Sequence, residues 1–515
     1  MNGFLVFLFL LVAYILTVYG LNRAGKLGGA FELMGPFLMM RTQKGKPTIE
    51  RISKAKRTWA IFGDVGILLT AVAGILMLVG LLFQLYVFVS APKMAADSAP
   101  PAQYLIGLPG VNPLIPIGYG IFGLIVALVI HEGCHGILSR HAGIQVKSLG
   151  LLWFIVPIGA FVEPDEADLE KATPRERLRM FAAGPTSNLV LAVVAGLLFS
   201  QVAMASLAIP EEGKGVIIQE VTDGYGAANA SVTPGSILTH INGEPIRDWV
   251  AFNATLTSIP YDETNPPTIT LTLLREGETR EVPVELSSKY AYRMKLYNEG
   301  VLSQPPPEEF KTQGFLGVSV LSLAHNAGHP MAAFDGVEGR TASLAGMKDL
   351  LENPLSHGVS GFFFYISYPF YVLRTGQDIM NDPYNGYFEP AGMLEGMNPV
   401  LFFMLANTLY WLFWLNLMLG TFNALPAGPL DGGQMLRTSV RAWLWRLYGV
   451  DRTRTRVERN LAGPGVMVLG NDEETQRKLD RAHAVLKRTT MTLGLLILGL
   501  ILMPVVGPQL IRLFI

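Results

Sequence analysis

The sequence predicts a polytopic α-helical membrane protein with about six transmembrane helices, a re-entrant β-hairpin and an extracytoplasmic α+β domain. Three observations lead there. The 515 residues are 50% hydrophobic and only 16% charged, with a mean hydropathy of +0.36, too apolar for a water-soluble globular chain. Apolar runs of spanning length, 18 residues or more, recur along it. Between Glu211 and Leu286 the composition changes to that of a soluble domain. The net charge of −1 gives no basis for a nucleic-acid partner. The single cysteine, Cys134, excludes an intramolecular disulfide and a cysteine-based structural metal site.

Gly3–Gly20 is the first apolar run and lacks the basic start and small-residue cleavage site of a signal peptide, so it reads as an anchor. Arg23, Lys26, Arg41, Lys44, Lys46, Arg51, Lys54, Lys56 and Arg57 follow, against Glu32 and Glu50, which places this loop in the cytoplasm. A second span lies within Trp59–Val89 and a third over about Pro116–Leu138. Arg140, His141 and Lys147 mark the cytoplasmic end of the third.

The third span carries His131-Glu132-Gly133-Cys134-His135, an H-E-x-x-H pattern. On a helix, residues four apart share a face, so both imidazoles can serve one metal ion, zinc above all, with Glu132 placed to deprotonate a bound water. At membrane depth each charged group costs about 2.5 kcal/mol or more, which argues against coincidence. Cys134 reads either as a packing residue on the back of the helix or as a redox-sensitive thiol beside the metal. A catalytic zinc needs a third protein ligand.

Leu149–Val162 is apolar but too short to span as a helix, and Pro157 and Gly159 break it. It reads as a β-hairpin-like loop dipping toward the metal site or as a loop buried at the membrane surface. The fourth span, about Leu178–Leu207, contains Phe181, Gly184, Pro185 and Asn188. Its small residues suit close helix packing, and Asn188 reads as a packing hydrogen bonder or, less directly, as a group that backs a metal ligand. In the soluble-type region, strands are expected at Val216–Val221 and Ile237–Ile241, the latter closed by Asn242-Gly243. A short helix is expected over Ala227–Ser231, a helix over Trp249–Ser258, and a hairpin from Thr268–Leu274 and Glu281–Leu286. His240 reads as a strand residue, and His325, His329 and His357 show no metal-ligand spacing.

Phe362–Leu373 is aromatic and short; Pro399–Phe422 is a clear span. The latter ends in Asn423-Ala-Leu-Pro426-Ala-Gly428-Pro429-Leu430-Asp431-Gly432-Gly433, where prolines and glycines stop the helix and hold Asp431 on a constrained loop. Asp431 there is either the third zinc ligand or a surface residue of an ordinary turn. Arg437, Arg441, Arg446, Arg452, Arg454, Arg456, Arg459, Arg477, Lys478, Arg481, Lys487 and Arg488 mark a second cytoplasmic segment, and Thr490–Val506 makes the last span.

H-E-x-x-H in one span and N-x-x-P-x-x-x-L-D-G at the end of a later one, separated by a span bearing Phe181, Gly184 and Asn188, resemble the site-2 protease family of intramembrane zinc metalloproteases. The resemblance covers about Pro116 to Gly433. It implies that His131, His135 and Asp431 bind one zinc ion, that Glu132 is the general base, and that Asn423 helps hold the substrate or the oxyanion. It also implies that the apolar hairpin can pair with an unwound substrate strand. The strand–Pro-Gly–strand–Asn-Gly stretch resembles a permuted PDZ domain, and Gly314-Phe315-Leu316-Gly317-Val318 its loop for holding peptide ends.

The domain division that follows is 1–112, N-terminal helices and basic loop; 113–208, first catalytic half; 209–320, PDZ-like domain; 321–397, linker and interfacial segment; 398–436, second catalytic half; 437–489, basic cytoplasmic segment; 490–515, last helix. Topological parity allows one crossing between the PDZ-like domain and Asp431, so Phe362–Leu373 is expected to be interfacial or re-entrant and both termini are expected outside. The expected activity is cleavage of transmembrane segments of bilayer-anchored regulatory proteins already cut outside by another protease. The rival readings are a membrane metalloprotease whose third ligand is a downstream glutamate, and a non-enzymatic zinc-binding transporter or scaffold.

Overall fold

A computed structural model describes residues 3–34, 37–92, 102–105, 107, 109–154, 156–210, 215–275, 277–323, 343–447 and 473–514. His325 and His329, and the arginines of 451–459, lie outside the described residues. Among those described, five helices are long and apolar enough, by length and composition, to cross a membrane: Lys56–Ser90, Ile117–His141, Pro174–Ser206, Pro399–Asn423 and Ala484–Pro504. The chain is a membrane protein. It divides into two compact units, Met1–Ala195 with Trp411–Ile515, and Gly196–Tyr410.

The first unit begins with α1 (Gly3–Arg23), which contains the first expected span. Strands β1 (Phe31–Met34) and β2 (Phe37–Thr42) follow. The sequence reading treated this stretch as a basic loop. It is a hairpin because Phe31, Leu33, Phe37, Leu38, Met39 and Met40 supply strand-type side chains between Gly29 and Gly45. Next come α2 (Lys56–Ser90), α3 (Ile117–His141), β3 (Val146–Phe154), β4 (Val156–Pro164) and α4 (Pro174–Leu198). Four antiparallel strands form one sheet in the order β1-β2-β3-β4. Gly150 is needed there, because a Cβ would stand 2.5 Å from the Met40 carbonyl oxygen on β2.

The buried positions of α2 are Gly63, Gly66, Thr70, Gly74 and Leu81, one stripe at helical spacing. A Cβ on Gly63 would meet Arg179 Cγ at 2.7 Å and one on Gly66 would meet Thr186 Oγ1 at 2.7 Å, while Gly74 lies against the Ala424 carbonyl. Thr70 Oγ1 and Thr186 Oγ1 are 3.2 Å apart. At the charged end, Asp64 accepts from Arg175 Nε at 3.0 Å and Arg179 Nε at 2.8 Å. The rest of α2 exposes Leu68, Val72, Leu76, Val79 and Phe83, the apolar outside of a helix that meets hydrocarbon.

Three helices complete this unit: α5 (Pro399–Asn423), whose first residues belong to the second unit, α6 (Asp431–Leu447) and α7 (Glu473–Phe514). Two expectations are corrected. The last helix is not confined to Thr490–Val506 but spans Glu473–Phe514, running through Pro504 and Pro508. Asp431 is not held on a loop but is the first residue of α6, where an acidic side chain is favoured by the helix dipole and the unpaired amides of the first turn.

In the second unit, β5 (Val216–Val221), β6 (Ile237–Ile241), β7 (Thr268–Arg275), β8 (Glu278–Glu285) and β9 (Val318–Ser322) form an antiparallel sheet in the order β8-β7-β6-β5-β9. Alternation fills its core with Val216, Ile218, Leu238, Ile241, Ile269, Leu271, Leu273, Val282 and Val284. Asn242 and Gly243 both have positive φ, 51° and 80°, the turn that an Asn-Gly pair favours between twisted strands. Helix Trp249–Ser258 is capped by Asp248, whose Oδ1 accepts from Ala251 N at 2.8 Å. His240 lies on β6 with Nδ1 3.1 Å from Thr239 Oγ1, and His357 meets Asp349 at 2.9 Å.

Gly317, in the Gly314–Val318 stretch, has φ of +80°, and a Cβ there would meet Tyr225 Cβ at 2.6 Å. Next to it the rings of Phe315 and Tyr292 stack at 4.1 Å, with Tyr225 edge-on at 5.4 Å from Phe315. Phe362–Leu373 lies within helix Gly358–Thr375, which is not among the five long apolar helices.

Candidate metal centre

The last three turns of α3 carry His131 and His135, and the first turn of α6 carries Asp431. His131 Nε2 lies 3.2 Å from His135 Nε2 and 3.1 Å from Asp431 Oδ2, and His135 Nε2 lies 3.2 Å from the same oxygen. The triangle is close to equilateral. Ligands at about 2.0–2.1 Å from a tetrahedral zinc ion stand roughly 3.3 Å apart, so the spacing fits three corners of such a site.

The partners of the other ring nitrogens fix the chemistry of the two imidazole donors. His135 Nδ1 is 2.7 Å from the Met180 carbonyl oxygen. A carbonyl only accepts, so Nδ1 holds the proton and Nε2 turns a lone pair toward the triangle. His131 Nδ1 is 3.0 Å from the Asn188 side-chain amide nitrogen, while Asn188 Oδ1 is buried without a partner. Rotating that amide by half a turn puts Oδ1 on Nδ1 as acceptor and gives His131 the same tautomer, an assignment the hydrogen-bond network decides. As neutral imidazoles, the two rings then turn their lone pairs toward each other and toward the carboxylate. Such a cluster repels itself unless a cation sits at its centre, and imidazole nitrogens backed by a carbonyl and an amide are how metal-binding histidines are held.

Gly184 on α4 makes the close approach possible. A Cβ there would fall 2.5 Å from His131 Nε2. Pro185 remains inside α4, and Ser187 Oγ donates to the Gly184 carbonyl at 2.7 Å. His131 is 5% exposed, and the Asp431 side chain 15%.

Glu132 is half-buried one residue round the helix, and its Oε2 accepts from Val162 N on β4 at 3.0 Å. Cys134 packs against the apolar cluster of Ile49, Ile137, Leu138, Ile144, Met180 and Ala183, the packing role expected for it. Asn423, the last residue of α5, is half-buried and lies outside the metal-ligand triangle. Sequence reasoning favours packing over a ligand-backing role for Asn188, whereas its side chain meets His131. Its place on the small-residue span was visible, but its partner sits 57 positions away. Met180 left no signal at all, because its contribution is a backbone carbonyl.

Residues 119–452, about two thirds of the chain, match the profile of peptidase family M50. The chain therefore belongs to peptidase family M50, the site-2 protease family. An uncharacterized protein of Methanocaldococcus jannaschii is 32% identical over 219 residues, covering 42% of this chain and 55% of the relative. Regulator of sigma-E protease RseP of Escherichia coli is 25% identical over 195 residues, 32% of this chain and 41% of that protein. The chain thus spans about half the length of the curated relatives it matches.

Proposed function

We propose that this protein is an intramembrane zinc metalloendopeptidase that cleaves transmembrane segments of membrane-anchored regulatory proteins. The observation that carries this reading is the convergence of three lone-pair donors, His131 Nε2, His135 Nε2 and Asp431 Oδ2, beside a carboxylate and within an otherwise apolar helix. His131, His135 and Asp431 would hold one zinc ion and leave its fourth position open. Bound there, zinc supplies Lewis-acid polarisation of a scissile carbonyl and a water pKa near 7.

The rest of the chemistry belongs to the chain. Glu132 takes the proton of the attacking water and returns it to the leaving amine. Asn423 holds the substrate backbone or the developing oxyanion. A helical substrate hides its carbonyls in internal hydrogen bonds, so it must unwind, and the outer edge of β4 offers a strand to pair with. The topology that goes with this reading has six crossings, both termini and residues 209–320 outside, and the zinc ligands nearer the cytoplasm. It rests on the two basic segments at 23–57 and 437–488. In this reading residues 209–320 act as a PDZ-like filter or reader of substrates already cut by another protease, and the product is a released cytoplasmic fragment.

The test is purified wild type against Glu132→Gln on a transmembrane substrate in liposomes. The variant should keep zinc and lose at least about 1,000-fold in rate, within the contribution of general acid–base catalysis. Unchanged cleavage overturns the mechanism. Zinc binding without cleavage by wild type supports the scaffold reading instead.

A further inference from the structure

The hydrogen bond between Glu132 and β4 joins the proposed general base to the strand edge on which a substrate would add. In the sheet order β1-β2-β3-β4, β4 is the terminal strand. Val162 stands opposite Leu149, and Ala160 opposite Leu151. Opposed antiparallel pairs alternate between those that exchange hydrogen bonds and those that do not. Val162 gives its N–H to Glu132 Oε2 at 3.0 Å, so its pair is of the second kind and both its N–H and C=O face away from β3. Ala160, two residues back in continuous register, repeats that orientation. The open edge therefore presents the polar groups of Ala160 and Val162, and the Val162 N–H is already taken.

The mount of Val162 is firm. Its neighbour Glu163 accepts from Ser148 Oγ of β3 at 2.6 Å and also pairs with Arg41 of β2. Gly136, one turn beyond Glu132 on α3, lies close to Val162, whose Cγ1 would be in ordinary contact, 3.5 Å, with a Cβ at that position. Backbone, sheet and helix thus hold this N–H at the carboxylate.

We infer that the Val162 N–H is a shared donor: it restrains Glu132 in the resting protein and passes to a backbone carbonyl of the substrate strand on docking, which releases the carboxylate for the water. Val162 is then a positioning residue through its backbone, and strand addition and activation of the base are one event. The inference rests on the proposed protease reading and deepens it. One N–H cannot serve two full-strength acceptors at once, and an added strand offers its own carbonyls along the whole edge.

The experiment replaces the Val162 amide by an ester, using the α-hydroxy analogue of valine, with Val162→Pro as a second variant that also lacks the N–H and is tolerated on edge strands. Each is assayed on a transmembrane substrate and on a short unstructured peptide that cannot pair along β4. A freed Glu132 should raise kcat on the short peptide by up to about tenfold, the scale of a hydrogen bond to a charged group, while KM for the transmembrane substrate rises. An equal fall of kcat on both substrates, or no change on either, overturns the inference. A readout independent of turnover is deuterium exchange at the Val162 amide. It should accelerate at least about tenfold in Glu132→Ala, and unchanged exchange there also overturns it. Failure of the protease reading would show instead as no difference between wild type and Glu132→Gln on either substrate, whatever Val162 does.

Discussion

The two units of the chain differ in what they expose and in the polar groups they bury. In the first, Thr70, His131, Ser139, Thr186, Ser187, Asn188 and Asn416 are buried, while Leu68, Leu76, Phe83 and Val193 are exposed. In the second, the sheet buries Val216, Ile218, Leu271 and Val284 and turns Glu278, Thr279, Arg280 and Glu281 outward. The difference reflects two ways of holding helices and strands together. Where the surroundings are hydrocarbon, burying apolar side chains brings little, and helices are joined by small residues and hydrogen bonds. Where they are water, the apolar core provides the stability. The buried polar side chains of the first unit are also what allows a metal centre inside a bundle of apolar helices.

Three substitutions should sharpen this contrast. The largest effect is expected for Gly184→Ala, whose Cβ would fall 2.5 Å from His131 Nε2. Displacing that ring by an ångström should cost activity at least about 100-fold, read together with zinc content by metal analysis. Leu271→Ala, in the middle of β7 and 0% exposed, should destabilise the second unit by about 2–5 kcal/mol. Its unfolding midpoint in denaturant should fall while zinc content stays as in wild type; joint loss of both would mean that the two units fold as one. Asn188→Ala should be the mildest, lowering zinc affinity about 10–100-fold through the loss of His131's partner, measured by competition with a chelator. An unchanged affinity would mean that Asn188 only packs.

Legibility followed the range over which each feature is decided. H-E-x-x-H places its own histidines on one helix face, so His131 and His135 could be read locally. The strands of the second unit follow from alternation bounded by Asn242-Gly243 and similar turns. Asp431 could be proposed as a ligand from its motif, but not its position at the start of α6, because Leu-Asp-Gly-Gly reads as a turn. The β1–β2 hairpin was hidden by the lysines and arginines around it. It forms because β2 finds β3 across 107 positions, as in the contact of Arg41 with Ser148. Backbone groups such as the Met180 carbonyl and the Val162 N–H carry no residue-type signature, and they decide the tautomer of His135 and the placement of Glu132.

The glycine stripe of α2 has an evolutionary consequence. Residues 56–90 precede the stretch matched to the protease family, 119–452, so they would be free to drift if they only anchored the chain. Yet Gly63, Gly66 and Gly74 each touch residues within that stretch, Arg179, Thr186 and Ala424. A single added methyl at any of them would press on a helix or loop that leads directly to the metal ligands. Homologous sequences should therefore exchange Leu, Val and Phe on the outward face of α2 while keeping these three positions small.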